Sequence, residues 1–276
     1  MLISVDFEIG LAFPEPTALA WMLYIHPSHS MQIRSPERLT VDPPVSFSEY
    51  LDRFGNRCGR ALAPTGIFTI RSAAVVEDSG LPDFQAWGAQ QHRVHELPDE
   101  CLLFLLPSRY CEVDSELKDF AFAKFGHLPA GWSLVLAVCD FAHNHVHFDY
   151  QQARANRTAL DVFRERVGVC RDFTHLAVTL CRCLNLPARY CTGYLGDIGI
   201  PLADTAMDFS AWFEVYLGGR WYAFDARNNI PRIGRILVAY GRDAADVALT
   251  TTFGASTLHT FRVGTVEVDA QGRAVG

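Results

Sequence analysis

The sequence predicts an α+β protein in which a cysteine-bearing helix packs on an antiparallel sheet and a small β-sandwich comes before it. Three observations predict this. From Met1 to about Asp83, short apolar runs alternate with turn signals, as strands do. From Asp99 the apolar period lengthens to that of helices. A long amphipathic helix then leads into a strand and, further on, a tight hairpin. The implied organisation is an N-terminal β-sandwich domain over residues 1–83 and a core domain over residues 99–276. A chain of 276 residues is long for one domain and comfortable for two.

The bulk composition narrows the function. Hydrophobic residues make up 49% and charged residues 20%, which is a globular balance that can bury a core. The net charge is −7 and no basic block occurs, which argues against nucleic acid, because phosphate neutralisation needs clustered Lys and Arg. Eight cysteines are present, none in a metal-type CxxC pair, and a chain this large needs no disulfide scaffold. Asp6 and Glu8 interrupt the first apolar run, and the run from Ala18 to Ile25 is too short to span a bilayer. The expectation is a cytoplasmic protein with free thiols, no membrane segment and no specified oligomeric state.

In the first part, Leu2 to Gly10 is a β-type run, Leu19 to Ile25 is a second, and Gln32 to Val41 alternates. Arg53 to Arg57 reads as a hairpin turn, and Gly66 to Val76 as a half-buried strand. Ser79 to Pro98, with Gly80, Pro82, Gly88 and Pro98, is the expected linker. Glu116 to Gly126 and Trp132 to Val146 read as helices, and Ala155 to Val167 as a shorter one. His143, His145 and His147 alternate, so a strand would put them on one face. As a metal set they lack the usual further ligands, and no metal is expected.

The stretch from Gly168 to Asp197 organises the rest. Phe173, Leu176, Ala177, Leu180 and Leu184 recur at helical spacing, and Asn185 with Pro187 stops the helix. Ala188 to Leu195 reads as the strand that follows. Cys170 stands at the helix start, beside unpaired N–H groups and the positive end of the dipole, which favour thiolate. Arg171 adds positive charge. The competing reading is a buried, inert cysteine.

After a loop over 196–207, Ser210 to Leu217 alternates, Gly218-Gly219 is a two-residue turn, and Arg220 to Ala226 returns. With that turn, Leu217 faces Arg220 and Trp212 faces Asp225. Ser210 then shares a sheet face with Trp212 and Asp225, diagonally across from the carboxylate at roughly 7–8 Å between backbones. The Cys170 helix is expected to pack against that face. A helix near Asp243 to Val247 and a strand over Thr260 to Val268 complete the chain.

The segments GVCRDFTHLAVTLCRCLNLPARYCTGYL and AWFEVYLGGRWYAFDARNN resemble the core of the bacterial transglutaminase-like superfamily, and the strand-rich first part resembles the β domain that precedes it in many members. The resemblance implies a papain-like core and acyl transfer or hydrolysis at amide bonds, as in cysteine proteases, with a peptide or amide-bearing substrate. Cys170 matches the nucleophile and Asp225 the triad acid. Ser210 stands where the family motif His-Ala-Trp has its histidine, and a serine cannot serve as a neutral-pH base. Asp208, beside the hairpin, is a candidate for binding and a weaker proton acceptor, and Trp212 a candidate for binding. His175 points away from Cys170 along the helix and is expected to be structural. Arg189 is expected to pair with Asp172 or Asp197, and Glu214 to be solvated or paired. No phosphate loop or dinucleotide fingerprint occurs, so no cofactor is expected.

Three readings follow. The chain is a thiol enzyme acting on amides through Cys170 with an unorthodox proton acceptor. Or it is an impaired member that binds a peptide or protein partner in the former cleft. Or it is an assembly protein that uses only its β part.

Overall fold

The computed structural model describes residues 1–201 and 207–275, so part of the expected 196–207 loop lies outside the described residues. The first strands are β1 (Leu2–Phe13), β2 (Thr17–Trp21), β3 (Thr40–Asp42), β4 (Phe47–Leu51), β5 (Arg57–Ala63) and β6 (Gly66–Glu77). The helical part holds α1 (Asp99–Leu102), α2 (Leu117–Phe125) and α3 (Trp132–His145), then β7 (His147–Phe148), α4 (Ala159–Glu165), β8 (Val167–Gly168) and α5 (Cys170–Cys183). The chain continues through β9 (Ala188–Tyr194), β10 (Ser210–Leu217), β11 (Arg220–Phe224), β12 (Ile236–Gly241), β13 (Thr250–Thr252) and β14 (Thr257–Val268).

Three four-stranded sheets result, in the orders β14-β1-β6-β3, β13-β2-β5-β4 and β11-β10-β9-β12. The first two belong to the strand-rich part, yet each is completed by a strand from the end of the chain. Residues 250–252 and 257–268 therefore pair with β2 and β1, on the far side of the boundary drawn at residue 99. Of the run from Gln32 to Val41 only its last two residues enter β3, and Asp243 to Val247 forms turns instead of a helix. Asp243 spends its carboxylate on the N–H groups of Tyr110 and Ala245, which holds those turns.

Helix α5 is the centre of the core. Phe173, Leu176, Ala177 and Leu180 are buried among Phe213, Val215, Leu217 and Phe224 of the third sheet. Burying each of the larger side chains contributes about 1.5–3 kcal/mol. The helix starts where Asp172 turns back to accept the Val169 N–H at 3.0 Å, with its carboxylate also held by Arg157 at 3.2 Å. Gly168 is required there, because a Cβ would come within 2.6 Å of Asp172. The helix ends on Asn185 at φ 61°, with the Leu186 N–H returning to the Cys181 carbonyl.

The hairpin has the register the sequence predicts, with Leu217 opposite Arg220 and Phe213 opposite Phe224. Gly218 and Gly219 take φ 54° and 89°, the positive pair a tight primed turn needs. The packing face differs from the expectation. α5 covers Phe213 and Val215, so it lies behind the sheet from Trp212. The alternation of the strand decides this: the odd-numbered residues from Ala211 to Leu217 form the continuous apolar face, and a helix with an apolar stripe goes there.

Candidate active site

Cys170 reaches the start of β10 because it is the first residue of α5. The parallel pair β7–β8 places Phe148 and Tyr150 beside it. Cys170 is half-buried, and the other seven cysteines are buried. Its thiol opens on two cavities. The first, about 310 Å³, is lined by Tyr150, Asp208, Ser210, Arg227 and Arg232 among others. The second, about 570 Å³, extends to the other side through Tyr110, Val247, Leu249 and Phe261. Cys170, Asp208, Phe209 and Ala211 belong to both. Ser210 and Asp208 line the first cavity together with Cys170.

Burial pushes the Cys170 thiol up to about 12, and the charge of Asp208 adds to the push. The backbone N–H groups of Ala211 and Arg171 act in the opposite direction and are outweighed. Arg171, expected to favour thiolate, is turned away and shared between Asp172 and the carbonyl groups of Arg154 and Ala155. Burial also raises the Asp208 carboxyl.

Asp225 lies elsewhere. Its side chain is 1% exposed and does not line either cavity. Oδ1 accepts the N–H groups of Arg227 (3.0 Å) and Asn228 (2.8 Å), while Oδ2 accepts from the Asn228 amide (2.8 Å) and Arg235 Nη2 (2.9 Å). Burial alone would raise this carboxyl, but Arg235 and Asn228 hold it below the usual range. Arg235 also grips Asp83, at 2.9 Å. The hairpin pairing ends at Phe213 opposite Phe224, one residue short of Asp225, whose Oδ2 is held by a guanidinium and an amide. Trp212 is 2% exposed, packs on Cys191 and Leu237 with Arg235 at 5.2 Å from its ring, and does not line either cavity, which corrects its candidacy for binding.

Among the described residues no histidine lines either cavity. His143 bonds the Arg227 carbonyl at 3.1 Å, His145 bonds the Phe163 carbonyl at 2.7 Å, and His147 is exposed. His175 is buried between Tyr110 and Tyr190 and accepts the Ala244 N–H, as a structural residue does. Arg189 pairs with Glu214 and lies over Tyr240, correcting the expected partner. Tyr150, Arg227, Arg232 and Arg235 were not legible as site residues. Arg227 follows Asp225 by two positions, and Arg232 and Arg235 stand three apart, but neither spacing reveals which charge is buried.

The comparisons agree with this architecture. The family profile described as the transglutaminase-like superfamily matches residues 126–226. An uncharacterized Mycobacterium tuberculosis protein is 30% identical over 250 residues, covering 81% of this chain and 78% of its own length. An uncharacterized Mycobacterium leprae protein is 26% identical over 219 residues, covering 76% of this chain and 77% of its own. The crystal structure of a Cytophaga hutchinsonii protein named "Putative Cysteine Protease" superposes with TM-score 0.83 and 31% identity, over 99% of this chain and 93% of that one. Among the described residues no helix is long and apolar enough to cross a membrane.

Proposed function

We propose, from the premise that this chain belongs to the bacterial transglutaminase-like superfamily, that its Cys170 cleft binds a peptide or other amide-bearing chain while acyl transfer from the amide is impaired. One observation carries this reading: Arg235 occupies the Asp225 carboxylate that a catalytic base would need, and Ser210 stands where that base would be. Triad chemistry moves the thiol proton to a base oriented by the acid. A serine hydroxyl does not take that proton near pH 7. A thiol pushed up by burial stays protonated at neutral pH. The binding half of the site remains supported: two cavities meet at the sulfur, and the N–H groups of Arg171 and Ala211 stand beside it as donors for a carbonyl oxygen.

A thiol enzyme is the second reading, and Asp208 favours it. This carboxylate shares both cavities with Cys170, and its raised pKa narrows the gap to the thiol. In that chemistry the sulfur attacks the amide carbonyl and its proton goes to Asp208. The proton passes on to the leaving amine, and water or an amine then resolves the thioester. Release of amine from a panel of acyl-peptide amides separates the two. Equal, background release by the wild type and Cys170→Ala, with peptide protecting Cys170 from alkylation, supports the binding cleft. Turnover lost in both Cys170→Ala and Asp208→Asn overturns it in favour of the enzyme.

A further inference from the structure

The cleft reading leaves the ligand's chemistry open, and the two cavities differ in what they offer. In the first, the Arg227 guanidinium lies 3.9 Å over the Phe148 ring, and among the described residues no carboxylate pairs with it. Arg232 lines the same cavity and is 4% exposed. Its Nη2 donates to the Gly196 carbonyl at 2.8 Å and stands 3.6 Å from Asp197, but its Nε has no acceptor. Arg232 is committed through Nη2 to the Gly196 carbonyl and to Asp197, and Arg227 is the guanidinium left to meet a ligand. Asn228 is not available for this, because its amide is committed to Asp225.

The second cavity offers no unpaired guanidinium and has an apolar end. Arg154 is held by Glu165 at 2.8 Å and Arg171 by Asp172 at 3.1 Å, so their charge is spent on protein carboxylates. Its apolar end is formed by Val247, Leu249 and Phe261, with Asp208 on the side shared with Cys170. Both volumes fall within the range of ligand sites.

We infer that the ligand is a peptide-type chain with a carboxylate on one side of the amide at Cys170, received by Arg227, and a bulky apolar side chain on the other, received by Val247, Leu249 and Phe261. This rests on the cleft reading above. The carboxylate geometry suits guanidinium forks. A monoanion is specified over a dianion because Asp208 also lines the first cavity and opposes further negative charge. The carboxylate comes from an acidic side chain or from a chain terminus, and the two share this chemistry.

The test measures binding of fluorescein-labelled peptides to the full chain by anisotropy, with protection of Cys170 from iodoacetamide as a second readout. Capped Ala-Leu-Gln-Glu-Ala and Ala-Glu-Gln-Leu-Ala are each compared with the form in which Gln replaces Glu, and with a Glu-free peptide ending in a free carboxylate after Gln. One carboxylate peptide is expected to bind about tenfold tighter than its neutral counterpart, from a charge-assisted hydrogen bond. Which arm shows the preference identifies a side-chain or a terminal carboxylate. Arg227→Gln is expected to erase the preference without changing the melting temperature, and Ser in place of the peptide Leu to weaken binding. Equal binding of charged and neutral peptides, with Cys170 still protected, overturns the carboxylate inference and leaves the cleft reading standing. No binding and no protection by any peptide overturns both.

Discussion

Cys170 and Asp225 are the two positions to which the sequence resemblance assigns the nucleophile and the acid, and they sit in opposite surroundings. Cys170 faces two cavities, and among the described residues its thiol has the Asp208 carboxylate nearby and no histidine lining either cavity. Asp225 is sealed and has both oxygens filled by Arg227, Asn228 and Arg235. Asp225 neutralises an arginine that ties residues 225–235 to Asp83. On the proposed reading, the thiol keeps access to the cleft without an activating imidazole, and each group takes its partners from its own surroundings.

This contrast is open to attack from its sealed end first. Arg235→Met leaves Asp225 and Asp83 without their cation, and breaking such a buried pair is expected to cost about 3–5 kcal/mol in chemical denaturation. A loss below 1 kcal/mol would mean that the pair is not the scaffold described here. Gly168→Ala forces a Cβ against Asp172 at the root of α5, and about 1–3 kcal/mol of overpacking strain is expected by the same measurement. At the open end, Cys170→Ala is expected to cost about 1 kcal/mol or less, since the side chain borders two cavities and only its inner side packs on the core. The smallest effect sharpens the comparison most. Ser210→His alone is expected to give no gain in amide hydrolysis, because Arg235 already holds the carboxylate that would orient the new imidazole. A gain of about 100-fold, as a competent general base supplies, would show that the acid is still available.

Much of the fold was legible because it is local. The apolar spacing of α5, the helix stop at Asn185 and the Gly-Gly turn each depend on residues close in sequence, and the hairpin register follows from the turn by counting. The pairing of β14 with β1 spans nearly the whole chain, and no local pattern announces it. The strand β12, Ile236–Gly241, is a short apolar run that periodicity does not distinguish from a buried loop or helix segment. At the site, Cys170, Ser210 and Asp208 were legible and do share a cavity. Asp225 was legible as a position and not as an environment. Arg235 is the reason: ten residues from Asp225 and equally drawn to Asp83, it reads in sequence as an ordinary surface charge.

The central claim, that Cys170 is accessible but not activated, is tested most directly by its own alkylation rate. Iodoacetamide labelling of the full chain, with peptide mass spectrometry to separate Cys170 from the seven buried thiols, gives that rate as a function of pH. A thiol at about 12 is expected to react more slowly than a free cysteine-containing peptide at pH 7, and to go on rising with pH beyond 10 without a plateau. A rate faster than the peptide's, levelling off near neutral pH, would contradict the account and restore Cys170 as an activated nucleophile.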